Sequence, residues 1–232
     1  MNYKQIGLGV YAFSDDARKT IDELVAHKEE AEDLLYWVEA EGMVLIKGPE
    51  KSGKTRLALE VIENFRGDGK VIYIDLDTYN KEVDIGHLLI GNQPFFRKIR
   101  NKMPKDMILI VDNAHSLDTD FYRRLQFFFD QGYLKSVVLI KKSDANLELP
   151  DSIKSRIGNK VIELKELGKD ECVEIMNARL NGFLNENHLE KIWTKSKGLS
   201  NFLENCEKIA TNYLDEGRKK IDINFIEKVL EK

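Results

Sequence analysis

Five short apolar runs, rich in β-branched residues and bounded by turn-forming or charged residues, mark the chain as far as residue 164: Met43–Ile46, Val71–Leu76, Met107–Val111, Ser136–Ile140 and Lys160–Leu164. Runs of this length and composition predict strands. Met107–Val111 is apolar at every position, as a central parallel strand covered on both faces requires. Between the runs the spacing turns helical. Arg56–Phe65 (RLALEVIENF) carries a helical apolar face, and Phe121, Leu125, Phe128 and Phe129 form an aromatic stripe along Thr119–Gln131 that reads as core. Val83–Ile90 and Phe95–Lys102 predict shorter helices on either side of a Gly91–Pro94 turn, and Gly67-Asp68-Gly69 is a turn before the second strand. Strands alternating with helices predict an α/β fold with a five-stranded, mainly parallel sheet whose ligands sit off the carboxyl ends of the strands.

The pattern changes at both ends. After Leu167 no strand signal remains, and Lys169–Leu180, Glu186–Lys195, Ser200–Tyr213 and Asn224–Leu230 predict four helices. Residues 1–166 are therefore expected to form a nucleotide-type α/β domain and residues 167–232 a small helical domain. At the amino end, Ser14 is a plausible N-cap for a long helix from Asp15 to about Glu41, with a charged insert at His27–Glu30 where it could break and Gly42 as its stop.

Composition adds limits. The 232 residues are 42% hydrophobic and 33% charged with a net charge of −4, which allows one large core plus a small appended domain and argues against attraction to nucleic acid over the whole surface. Cys172 and Cys206 lack the spacing of a zinc site or a disulfide framework. No run approaches the about 20 apolar residues of a membrane span, and the first residues lack a signal-peptide layout. A cytoplasmic, reducing setting is expected.

The candidate chemistry lies between the first strand and the helix that follows it. Gly48-Pro49-Glu50-Lys51-Ser52-Gly53-Lys54-Thr55 fits G-x-x-x-x-G-K-[ST] at every specified position, in the strand–loop–helix context that the motif needs. Glycines let the backbone wrap a phosphate, and loop amides with a helix N-terminus supply positive potential. Lys54 is assigned to the β- and γ-phosphates and Thr55 to Mg²⁺, and Arg56 is counted with the loop among the nucleotide-binding residues. Asp112, at the carboxyl end of the third strand, is placed to hold Mg²⁺ through water.

With these residues in hand, the chain resembles AAA+ ATPases, in tone the small origin-recognition, clamp-loader and transposition-helper members. Gly48–Thr55 is similar to Walker A, Met107–His115 (MILIVDNAH) to Walker B, Leu149–Ile157 to the segment that carries an arginine finger, and Leu164–Leu180 to the start of a helical lid. The resemblance implies a RecA-like three-layer sandwich with a helical lid, ATP and Mg²⁺ as cofactors, and ATP hydrolysis coupled to remodelling or loading of a nucleic-acid or protein assembly. It also implies Arg156 as the finger, hence self-association or a protein partner, and a sensor residue among Lys141, Lys142 and Ser143, with Ser143 closest in type.

Two departures qualify this. Asn113 stands where relatives carry a Glu that polarises the attacking water, and an amide cannot take a proton as a carboxylate does. Loss of a general base costs about 10²–10⁴-fold, so hydrolysis is expected to be slow unless another group, His115 or Glu50, substitutes. Asn201 stands where relatives often carry a lid arginine. The second reading is thus a nucleotide-dependent interaction module or switch with little turnover. A third, a small-molecule P-loop kinase, rests on Asp75 and Asp77 after the second strand. Macromolecular contacts, if present, fall on Phe95–Lys102 and Lys141–Lys142, whose basic residues suit phosphates, and on a docking loop at His87–Gln93; nucleic acid is a possible partner and a membrane is not.

Overall fold

The computed structural model describes residues 3–20, 24–65, 70–79, 83–91, 103–114, 117–145 and 148–231. The expected Gly67–Gly69 turn and Phe95–Lys102 helix, as well as His115, lie outside them. The described chain divides into two units, His27–Lys165 and Met1–Ala26 with Glu166–Lys232.

The first unit is built on five parallel strands, β1 (Met43–Gly48), β2 (Val71–Asp75), β3 (Met107–Asp112), β4 (Leu134–Lys142) and β5 (Val161–Glu163), in the order β2-β3-β4-β1-β5. The expected parallel α/β sheet is therefore present. β3 is buried at all six positions, which is why its sequence is continuously apolar. Alternate side chains serve opposite faces: Met107, Leu109, Val111, Val137 and Leu139 share one core with Phe121, Leu125, Phe128, Ile153 and Ile157.

The elements that supply this core are α3 (Ile85–Gly91), α4 (Thr119–Asp130) and α5 (Asp151–Ile157). On the other parity, α1 (Lys28–Glu39) and α2 (Lys54–Phe65) pack on each other and on β1 and β4. They bury Leu34, Val38, Leu57, Ala58 and Val61. Full burial of each large aliphatic chain contributes about 1.5–3 kcal/mol, so this pair fixes where the loop between β1 and α2 emerges.

Several expectations need correction. The long helix expected from Asp15 is absent from the described residues before Lys28, where the first α-helix begins. Residues 14–19 turn instead, because the Ser14 hydroxyl accepts from Asp16 N and the Asp16 carboxylate accepts from Arg18 N and pairs with its guanidinium, short-range bonds that compete with a helix. His87–Gly91 belongs to α3 rather than to a docking loop, and α5 was not foreseen as a helix.

The second unit contains α6 (Lys169–Leu180), α7 (Glu186–Trp193), α8 (Gly198–Asp215) and α9 (Ile223–Leu230), close to the four expected helices. Residues 1–26, expected with the sheet, group here. Leu8, Ala12 and Phe13 are buried with Met176, Leu180, Phe202, Cys206 and Phe225, and Arg179 donates to the Ser14 carbonyl at 2.8 Å. Both cysteines are part of this core; burial pushes the Cys172 thiol up to about 12 and the Cys206 thiol up as well. Asn201 accepts from Lys197 N at 3.1 Å and so serves the start of α8. Among the described residues no helix is long and apolar enough to cross a membrane.

Candidate functional site

The loop between β1 and α2 is shaped by contacts that depend on residue type. A Cβ at Gly48 would lie 2.7 Å from the Ser52 hydroxyl and 3.0 Å from the Leu164 carbonyl oxygen, and Gly53 has φ +91. Glycine is therefore required sterically at the first position and conformationally at the second. Gly48→Ala is expected to destabilise the protein by about 1–3 kcal/mol, the usual cost of overpacking. Its melting temperature in the absence of nucleotide is the measurement, and an unchanged value would show that the loop can relax.

Lys54 opens α2 and turns back over the loop, where its ammonium donates to the carbonyls of Gly48 (3.0 Å) and Pro49. Burial holds its pKa below the ordinary lysine value, against the attraction of Asp112; Lys142 adds to the lowering, while Glu50 and Asp144 oppose it. The buried Ser52 hydroxyl has no hydrogen-bond partner among the described residues. An orphaned donor beside a buried cation at a helix N-terminus fits an oxyanion.

Although β4 lies between β1 and β3, the start of α2 meets the end of β3. Thr55 Oγ1 donates to Asp112 Oδ2 at 2.8 Å. The carboxylate is buried, accepts from the Tyr73 hydroxyl at 2.8 Å and from Asn113 N at 2.9 Å, and is thereby fixed in orientation. A hydroxyl and a carboxylate side by side are hard oxygen donors of the kind that bind Mg²⁺ when phosphates and water complete its shell. The described residues contain no cluster of three His, Cys, Asp or Glu that could hold a metal unaided. The donor set thus suits a cation delivered with a nucleotide, held by Thr55 and Asp112.

Asn113 has φ 56, in the left-handed region that asparagine tolerates better than most residues. Its side-chain NH₂ donates to Asp75 Oδ1 at 2.8 Å, across the β2–β3 pair in which Asp75 stands level with Asp112. A carboxylate only accepts, so the amide must present nitrogen to Asp75 and leave its oxygen as the remaining acceptor. Tyr73 and Asp75 thus support the site from β2. A tyrosine and an acid inside an otherwise aliphatic strand were the only sequence signal for them.

The remaining expected residues divide. Lys142 stands level with Gly48 in the β1–β4 ladder, and Ser143 N donates to the Gly48 carbonyl at 2.9 Å. That places the segment expected to carry a sensor residue at the loop's root, with Ser143 exposed. Lys142 lies 3.8 Å from the Glu50 carboxylate and Lys141 donates to the Ala145 carbonyl. Arg56, at the second position after Lys54 in α2, ion-pairs with Glu60 at 2.6 Å. Lys51 sits in the loop with φ 61.

Arg156 is not brought to this site. Its guanidinium binds both oxygens of Asp130, at 2.8 and 2.9 Å, and the Ser152 carbonyl. Asp130 ends α4, and the turn after it runs beside the first residues of β3, through Gly132 to Asp106 and Tyr133 to Met107. Arg156 therefore lies at the amino-terminal end of the sheet, opposite the phosphate loop.

No family model matches the chain, and no curated protein matches it in sequence. Solved structures do match. The chain is similar to Cdc6p from Pyrobaculum aerophilum (TM-score 0.69, 16% identity, covering 96% of this chain and 70% of that one). It is also similar to ORC1 from Aeropyrum pernix in complex with DNA (0.68, 14%, 94% and 68%) and to a chain of Drosophila ORC bound to DNA (0.67, 15%, 94% and 64%). Together with the sheet order, these likenesses show that the chain has the fold of these Cdc6p and ORC chains.

Proposed function

We propose that the protein binds ATP with Mg²⁺ at Gly48–Thr55 and Asp112 and couples that binding, or hydrolysis, to loading or remodelling of a nucleic-acid or protein assembly. The observation that carries this reading is the 2.8 Å bond from Thr55 to Asp112 beside the buried Lys54, which converges a phosphate cradle, a cation and a metal-binding pair. Lys54 would neutralise the β- and γ-phosphates of a bound nucleotide, the loop amides would orient them, and Thr55 and Asp112 would hold Mg²⁺, whose charge would stabilise the transferring phosphoryl group. The fold neighbours whose structures contain DNA support a nucleic-acid assembly as the target.

The engaged Asn113 amide favours the second reading, a switch with little turnover, since no carboxylate stands at that position to take a proton from water. Steady-state phosphate release, with Lys54→Ala as the blank, separates the two: turnover of the order of the usual enzymatic range, about 1 s⁻¹ or more, would remove the switch reading, and release indistinguishable from the blank would remove the hydrolase.

Arg156 is proposed to act on a neighbouring copy. An arginine finger supplied in trans is worth about 10³–10⁵ in rate, so Arg156→Ala should reduce phosphate release only at concentrations where copies associate. An equal loss in dilute protein would assign Arg156 to the Asp130 ion pair alone.

A further inference from the structure

We propose that His27 is a positioning residue for the phosphate loop, fixing the Ser52–Gly53 peptide so that the Gly53 N–H faces the anion; this rests on the nucleotide reading above. His27 Nε2 lies 3.0 Å from the Ser52 carbonyl oxygen. A carbonyl only accepts, so Nε2 carries the proton. The peptide that follows is planar and trans, with its C=O and N–H pointing in opposite directions. Holding the Ser52 oxygen toward His27 therefore turns the Gly53 N–H to the side away from the histidine. The ring also lies along the loop's glycine: a Cβ on Gly53 would meet His27 Cδ2 at 3.4 Å.

The residue's own setting shows that the helix does not account for it. His27 occupies the N-cap of α1, where Ser, Thr, Asp or Asn would bond the first helical amides, yet its side chain makes no capping bond. It also adopts φ 63, which is uncommon for a residue other than glycine. Its carbonyl accepts from Ala31 N at 3.0 Å, which ties the backbone into the first turn of α1. The side chain is only 11% exposed, and Glu30 Oε1 stands 3.7 Å from Nδ1, beyond hydrogen-bond distance, so the bond to Ser52 is the ring's specific contact to the loop. The helix thus serves as a rigid post and the imidazole as the strut between it and the loop.

The full chain is titrated calorimetrically with ADP, inorganic pyrophosphate and adenosine. His27→Ala should weaken ADP and pyrophosphate by about tenfold, the effect of one well-placed hydrogen bond, and leave adenosine unchanged. His27→Gln, whose amide nitrogen reaches as far as Nε2, should recover most of the loss. His27→Asn keeps a residue suited to the left-handed backbone but falls short of Ser52, and should resemble the alanine variant while melting like the wild type. Wild-type affinity for pyrophosphate in both short variants, or an equal loss for adenosine, would overturn the proposal, as would failure of the glutamine variant to recover binding while folded. If the wild type binds neither ADP nor pyrophosphate, the nucleotide reading itself fails, a distinct result.

Discussion

Replacing Lys54 by alanine is expected to lower ATP affinity on the order of a hundredfold, because a charge-assisted hydrogen bond is worth about 1.5–3 kcal/mol and the ammonium is placed to serve both terminal phosphates. The cost is concentrated here because the cation is already desolvated, so a phosphate meets it with little water left to displace. The pH dependence follows with a definite sign. In the free protein burial lowers the Lys54 pKa, while a bound triphosphate would raise it. Affinity is then full where both states carry the proton, and it declines as pH rises above the lowered free-protein value, because binding must take up a proton. Calorimetric titration of wild type and Lys54→Ala with ATP between neutral and alkaline pH measures both effects. A variant that binds like the wild type would place the phosphates elsewhere, and a wild-type affinity that grows with pH would contradict the role of the buried cation.

The second large effect concerns hydrolysis, and there the neighbouring strand decides the outcome. Restoring a carboxylate by Asn113→Glu offers a general base, worth about 10²–10⁴-fold. The substitution also removes the amide that donates to Asp75 and sets two acids against each other, which disfavours the ionised form that the base requires. The single variant is therefore expected to realise only part of the gain. Asp75→Asn with Asn113→Glu exchanges the two groups across the β2–β3 pair, restores an amide-to-carboxylate bond, and should turn over ATP faster than either single variant. Initial rates of phosphate release across the four proteins of this cycle give the coupling directly. Additive effects would mean that Asp75 and Asn113 act independently.

Much of the sheet could be read from the chain because its strands are apolar runs closed by turn residues, and a strand buried on both faces, such as Met107–Val111, has no other plausible form. The four carboxyl-terminal helices were equally legible from their spacing; the structure adds that Asn185 and Asp222 accept from amides in the first turns of α7 and α9. Lys54, Thr55 and Asp112 were assigned from motif and context, and the structure brings them together. The failures share a cause. Apolar residues at helical spacing between Asp15 and Val38 do not reveal that Leu8, Ala12 and Phe13 are buried among helices more than 150 residues away, and local bonds of Ser14 and Asp16 break the pattern. Asp75 was singled out only as an acid after the second strand; that it, Tyr73 and His27 meet Asn113, Asp112 and Ser52 follows from strand register and helix placement, which the local sequence does not encode. Arg156 was expected as a finger only through the resemblance, and nothing in its sequence neighbourhood points to its pairing with Asp130 at the amino-terminal end of the sheet.

The central claim, that the phosphate loop and Asp112 form one site for ATP and Mg²⁺, is tested most directly by calorimetric titration of the intact chain with ATP, in the presence of Mg²⁺ and again in excess EDTA. Saturable binding is expected in both cases, tighter with Mg²⁺, with the Mg²⁺-dependent part lost in Asp112→Ala. Absence of binding in either condition, or binding whose Mg²⁺ dependence survives Asp112→Ala, would contradict it.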